Sequence, residues 1–202
     1  MAVDDAAFMT LVRAICAGDV AAAERLLAAS PGLAGERGVH DVLLDEIAHY
    51  VYGGDSALHI AAAAYQREIA RTLIAMGADV RATNRRGAQP LHYAADGVPG
   101  ARSWNPDAQA ATIASLIEAG ADPNAIDKSG VMPLHRAVRT RCAAAVRALI
   151  DGGADPRGRN KSGSTPMDLA TGNTGRGGSG SPESKAQQEE IVRLLEQHGA
   201  AR

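Results

Sequence analysis

Residues 132–135 read Met132-Pro133-Leu134-His135, and Gly153-Ala154-Asp155 follows after a helix-length stretch. The same pair of markers recurs along the chain. Ser56-Ala57-Leu58-His59 is followed by Gly77-Ala78-Asp79, and Gln89-Pro90-Leu91-His92 by Gly120-Ala121-Asp122. Thr165-Pro166-Met167-Asp168 is followed by Gly199-Ala200. From His59 to His92 is 33 residues, and from His135 to Asp168 is again 33. From His92 to His135 is 43, so ten residues are inserted there. Two markers in fixed phase define a repeat array, whose units bury their apolar faces by stacking on neighbours.

The composition suits such an array. Only 3% of the 202 residues are aromatic, while 42 are alanine. An interior made of small side chains needs helices that approach closely, which disfavours an aromatic-rich β-sandwich or propeller. The charge balance, 21 Lys+Arg against 23 Asp+Glu, speaks against a globally basic nucleic-acid binder and leaves room for a local basic patch. Two cysteines, Cys16 and Cys142, are too few for a four-thiolate zinc site or a disulfide framework. No apolar run approaches the ~20 residues of a membrane span. The first residues, Met1-Ala2-Val3-Asp4-Asp5, carry acids where a secretory signal carries positive charge. The expectation is a soluble cytoplasmic protein.

The period and the T-P-L-H-x-A signature resemble the ankyrin repeat, in a stand-alone array of bacterial type. The resemblance covers nearly the whole chain and implies an all-α repeat solenoid of about five helix-turn-helix units with short β-hairpin or loop fingers. As one domain over 1–202, the expected units are an N-terminal capping repeat at about 4–33, an insertion at 34–53, and repeat two at about 54–83. Repeat three follows at about 84–126 with an inserted loop at 97–105, then repeat four at about 127–159. Repeat five, at about 160–202, is the C-terminal cap and carries a Gly/Ser loop at 172–181.

Each motif residue has a physical task. Ser or Thr before the first helix caps it, and Pro in the first turn loses no hydrogen bond. Leu58, Leu91 and Leu134 point into the stack, and the pairs Ala61-Ala62 and Ala94-Ala95 let helices approach. Gly77, Gly120 and Gly153 end the second helices. Asn84-Arg85-Arg86-Gly87 and Asp127-Lys128-Ser129-Gly130 suit tight turns, which by family analogy are the fingers. His59, His92 and His135 share one phase on separate repeats. That is a packing pattern rather than a metal or catalytic group, and the family uses this His to bond neighbouring backbone.

Departures from the repeat carry more information about function. Between Leu33 and Gly53, Val39, Leu43, Ile47 and Tyr50 fall on one helical face. The spacing predicts a short helix over 39–51, either enlarging the first finger or covering the degenerate first repeat. In repeat three, Gly97 to Trp104 interrupts the unit and holds the only Trp. Beside Arg102, Trp104 is either a binding hot spot or a plug over the helix ends. Gly175 to Gly180 matches G-x-G-x-x-G by composition alone, because no strand precedes it; it reads as a flexible linker. Tyr65 and Arg141 stand where the family places Gly in a turn.

Family analogy places partner contacts on finger tips and inner helices. There the sequence has Arg85, Arg86, Lys128, Arg139, Arg159 and Lys161, with Arg136 in addition and no acid among the finger and inner-helix positions compared. The expectation is a non-enzymatic, monomeric protein-interaction module whose basic concave face binds a partner with an acidic surface. Arg102, Trp104 and Tyr93 join the candidate contacts. The alternative within this class is an inhibitor or immunity-type protein masking a toxin or enzyme. Nucleic-acid binding ranks lower because Tyr93 is the only aromatic near that face. An enzyme ranks lowest, since no nucleophile triad, metal spacing or phosphate loop is present. No cofactor or metal is expected.

Overall fold

The computed structural model describes residues 5–39, 41–44, 49–99, 104–172 and 182–200. Among them are ten α-helices. In chain order these are α1 (Asp5–Cys16), α2 (Val20–Ala29), α3 (Ala57–Ala63), α4 (Arg67–Ala75) and α5 (Pro90–Ala95). Then follow α6 (Pro106–Glu118), α7 (Pro133–Arg139), α8 (Ala143–Asp151), α9 (Pro166–Thr171) and α10 (Pro182–Gln197). The odd-numbered helices pack in sequence as an inner row, and the even-numbered helices form an outer row behind them. Five helix pairs stacked in this way make the all-α solenoid that the repeat implies.

The interior follows from the motif. Leu58, Leu91 and Leu134 are fully buried, with Met167 at the same phase in the last repeat. Ala61, Ala62, Ala94 and Ala95 are also without solvent contact, so methyl groups fill the space between inner helices. The apolar stripes of the two end helices, Phe8, Leu11, Val12 and Ile15 on α1 and Ile191, Leu194 and Leu195 on α10, are buried against their neighbours.

The three histidines are bolts between repeats. Nδ1 of His59, His92 and His135 accepts the amide of Ser56 (3.1 Å), Gln89 (3.1 Å) and Met132 (3.2 Å), the residue before each helix. Nε2 of each faces a carbonyl in the next repeat: Ala88 (3.1 Å), Val131 (3.0 Å) and Ser164 (3.0 Å). Both contacts are satisfied together only by the neutral ring with its proton on Nε2. Burial, aided by the nearby Arg136 charge, lowers the pKa of His92 to about 4, and burial lowers that of His135 as well. Of the residues expected to cap these helices, Thr165 does so, its Oγ1 accepting the Asp168 amide at 3.1 Å. Ahead of α5 and α7, where Gln89 and Met132 stand, the histidine satisfies the helix start instead.

Tyr65 and Arg141 hold the left-handed conformation usual for Gly, with φ 56° and 59°. That conformation costs about 1 kcal/mol in a non-Gly residue, and each side chain makes a bond that glycine could not. Tyr65 Oη donates to the Asp96 carbonyl at 2.6 Å, and Arg141 donates to Ser184 Oγ at 2.7 Å. Both bonds reach the following repeat.

The 39–51 segment is not helical where it is described. Val42–Leu44 (β1) pairs antiparallel with His49–Val51 (β2), in the register Val42↔Val51, Leu43↔Tyr50 and Leu44↔His49. A short apolar run fits either periodicity, and here β-branched and aromatic residues at both ends of the run decide for strands. Residues 45–48 lie outside the described set. The fingers of repeats three to five, expected as hairpins or loops, are tight turns and contain no described strand.

Candidate partner-binding surface

Each finger is built by one side chain. The Oδ1 of Asn84 accepts the amides of Arg86 (2.9 Å) and Ala88 (3.1 Å). Asp127 does the same for Ser129 (2.8 Å) and Val131 (3.0 Å), and Asn160 for Ser162 (2.9 Å) and Ser164 (3.0 Å). An Asn or Asp at this place fixes the turn by mimicking backbone. The fingers then join one another. Arg85 donates its amide to the Gly53 carbonyl (3.1 Å), Lys128 to Arg86 (3.0 Å) and Lys161 to Ser129 (3.1 Å). A Cβ on Gly130 would stand 2.8 Å from the Lys161 nitrogen, so only glycine allows that approach. The tips therefore form a rigid ladder along one edge of the solenoid.

Charge along this ladder is uneven. Arg85, Arg86, Lys128, Arg159 and Lys161 are exposed. Arg85 pairs with Asp41 of the insertion and stands over the Tyr52 ring, 5.5 Å from its centroid. Arg86 covers the same ring at 4.9 Å. Arg136 is held between Asp96 (2.8 Å) and Asp127 (3.2 Å), while Arg139 has an Asp96 oxygen at 3.9 Å. Burial alone would raise the pKa of Asp127, but the Val131 and Ser129 amides and Arg136 outweigh it and hold it below the ordinary value. Burial opposes the charge on Arg136, and the two carboxylates more than restore it. None of Arg86, Lys128, Arg159 and Lys161 forms an ion pair with a described carboxylate. Lys161 Nζ donates to the Lys128 carbonyl at 2.7 Å, and Arg159 bonds the Gly163 carbonyl.

The face is thus not free of acids. Asp41, Asp96 and Asp127 stand on it and neutralise Arg85 and Arg136 in place. Asp41 belongs to the insertion, Asp96 follows α5 directly, and Asp127 also builds its own finger turn. Tyr93 is also corrected. It is 2% exposed, and its hydroxyl donates to Asp55 Oδ2 at 2.7 Å and accepts from Asn84 at 2.8 Å. Asp55, fully buried, also accepts from the Tyr52 amide (2.7 Å) and from Asn84 Nδ2 (2.8 Å), tying the insertion to repeats two and three. Tyr93 is therefore an internal tie, and its ring lies beneath Arg136 at 6.0 Å.

Trp104 is half-buried against the core, its indole N–H donating to Gln109 Oε1 at 2.9 Å. Gln109 is fully buried and donates in turn to the carbonyls of Ala94 (2.9 Å) and Asp96 (3.2 Å). Through Gln109 the Trp104 side chain is thus tied to the end of α5. Arg102 lies outside the described residues, as do 173–181, where the Gly/Ser loop was expected. Beneath the loop, burial pushes the Cys142 thiol up to about 11, which makes it a poor nucleophile. No group of His, Cys, Asp and Glu placed to hold a metal occurs among the described residues, and no described helix is long and apolar enough to cross a membrane.

A cleft of about 370 Å³ opens on the concave side between the insertion and repeats three and four. Arg86, Arg136 and Arg139 line it together with Asp96 and Asp127 and the rings of Tyr52 and Tyr93. The sequence had given the arginines without their acids. The signal for Asp96 was its place, one residue past a motif helix whose successor carries Arg136.

Two family models match the chain: "Ankyrin repeats (3 copies)" over residues 11–102 and "Ankyrin repeats (many copies)" over residues 116–170. The chain belongs to the ankyrin-repeat family. Ankyrin repeats are in general protein–protein interaction modules and non-enzymatic scaffolds. A comparison with curated proteins gave no match.

Proposed function

We propose that this protein captures a partner protein carrying an acidic surface, and that the contact lies along the finger ladder and the concave inner helices. The supporting observation is the row Arg86, Lys128, Arg159 and Lys161, set on successive rigid tips with no described carboxylate paired to any of them. Such charges speed encounter and select partners more than they add raw affinity. Naked nucleic acid is the poorer fit. Of the two described aromatics at this face, Tyr93 is buried and Tyr52 is covered by two arginines. An adaptor and an inhibitor of a toxin or enzyme would use the same surface.

The test is affinity capture with the full chain at low and moderate salt, followed by a binding measurement on the purified partner. Reversal of the four cations to Glu is expected to weaken binding by about 100-fold, largely through the association rate. A partner bound equally well by the reversed variant would overturn the proposal.

A further inference from the structure

We infer that the concave cleft is a receptor for a single carboxylate side chain, Asp or Glu, presented by the partner; this rests on the finger-ladder reading above. The argument is one of charge and placement. The described lining carries three guanidiniums, Arg86, Arg136 and Arg139, against two carboxylates, Asp96 and Asp127. The surplus is one positive charge. Arg136 is fixed by its two carboxylates and serves as the floor, with side-chain exposure of only 13%. Arg139 is one-third exposed, and Arg86 rises from its finger tip across the Tyr52 ring. An incoming carboxylate would therefore meet the guanidinium donors of Arg86 and Arg139, a group that can pair with a carboxylate through two hydrogen bonds.

The acids in the cleft choose between anions. A doubly charged phosphate would exceed the surplus and face Asp96 and Asp127 at close range, whereas one carboxylate matches it. The cleft volume is near the lower limit of small-molecule sites and suits a side chain better than a metabolite. Arg86 and Ser129 belong to finger turns as well as to the lining. A protein docked on the tips would therefore deliver its side chain directly into the cleft.

The experiment is a titration of the full chain with N-acetylglutamate N-methylamide, followed by the arginine Nε–Hε resonances. The expected result is a saturable shift at Arg86, Arg136 and Arg139 with a dissociation constant of about 1–10 mM, the weak binding open to one solvated carboxylate. The matching glutamine amide should leave these resonances in place. Arg86→Gln and, separately, Arg139→Gln should each weaken binding by about fivefold. Arg86 is exposed on a turn, so its replacement keeps the test valid if the Arg139 variant fails to fold. Absence of saturation, an equal response at Arg159, tighter binding of inorganic phosphate, or tight binding of free succinate would each overturn the inference. Loss of partner capture on finger reversal without a cleft titration would remove this site and leave the finger reading standing. A cleft that titrates, with capture lost on Arg139→Gln but unchanged by reversal of Lys128, Arg159 and Lys161, would do the opposite.

Discussion

The finger ladder has two halves with different chemistry. Toward the N-terminal side, two cations are held by acids: Arg85 by Asp41, and Arg136 by Asp96 and Asp127. Beneath them Asp55 joins Tyr52, Asn84 and Tyr93. At the C-terminal half, Lys128, Arg159 and Lys161 sit on turns made by backbone and Asx bonds, with no described ion pair. Equal charges in a sequence thus become unequal charges on a surface. The acid-paired cations hold the fold, and those with no described ion pair, Arg86 among them, are available to a partner.

The largest effect expected from breaking this contrast is at Asp55. Asp55→Ala leaves Tyr93, Asn84 and the Tyr52 amide without their acceptor in a buried place and should cost about 3–4 kcal/mol, read from urea unfolding. A loss under 1 kcal/mol would mean that the insertion is not tied in as described. Acid comes next. His92 keeps a neutral ring in the fold down to about pH 4, whereas an unfolded chain takes up the proton near 6.5. The unfolded state therefore binds more protons across that window. Stability is complete above it and falls as pH drops through it, by roughly 3 kcal/mol for this group at most. His135 acts in the same direction. Unfolding midpoints at pH 7, 5.5 and 4.5 should decline in order, with a flatter slope in His92→Gln.

Asp96→Ala should cost about 2 kcal/mol, because Arg136 then keeps one carboxylate in a half-buried place. Asp41→Ala breaks a more exposed pair, and its effect should stay below about 1 kcal/mol. Smallest of all, Lys128→Glu with Arg159→Glu and Lys161→Glu should move stability by about 0.5 kcal/mol or less per site. A large loss there would show that the C-terminal tips also serve the fold.

Much of this was legible in the residues. The markers at His59, His92, His135 and Asp168, with a degenerate first repeat, give five helix pairs, and Tyr65 and Arg141 mark the two strained turns. Both depend on local chemistry repeated at a fixed period. The failures share another origin. The 39–51 run is short and apolar and fits both periods, so its strand pairing depended on what it packs against. Tyr93 counted as a surface aromatic because nothing local says that Asp55, 38 residues earlier, lies beside it. Asp96 and Asp127 escaped notice as charge partners of Arg136 because 40 and 9 residues separate them from it along the chain.

The most direct measurement compares two variants against one purified partner: Asp41→Asn with Arg85→Gln, which removes an acid-paired cation without a change in net charge, and the triple reversal of Lys128, Arg159 and Lys161. The triple variant should bind about 100-fold more weakly at low salt, with most of the change in association rate. The Asp41→Asn, Arg85→Gln variant should change affinity by less than about twofold, since the pair it removes already presents no net charge. Equal affinity of the triple variant and the unaltered protein, with both folded, would contradict the account.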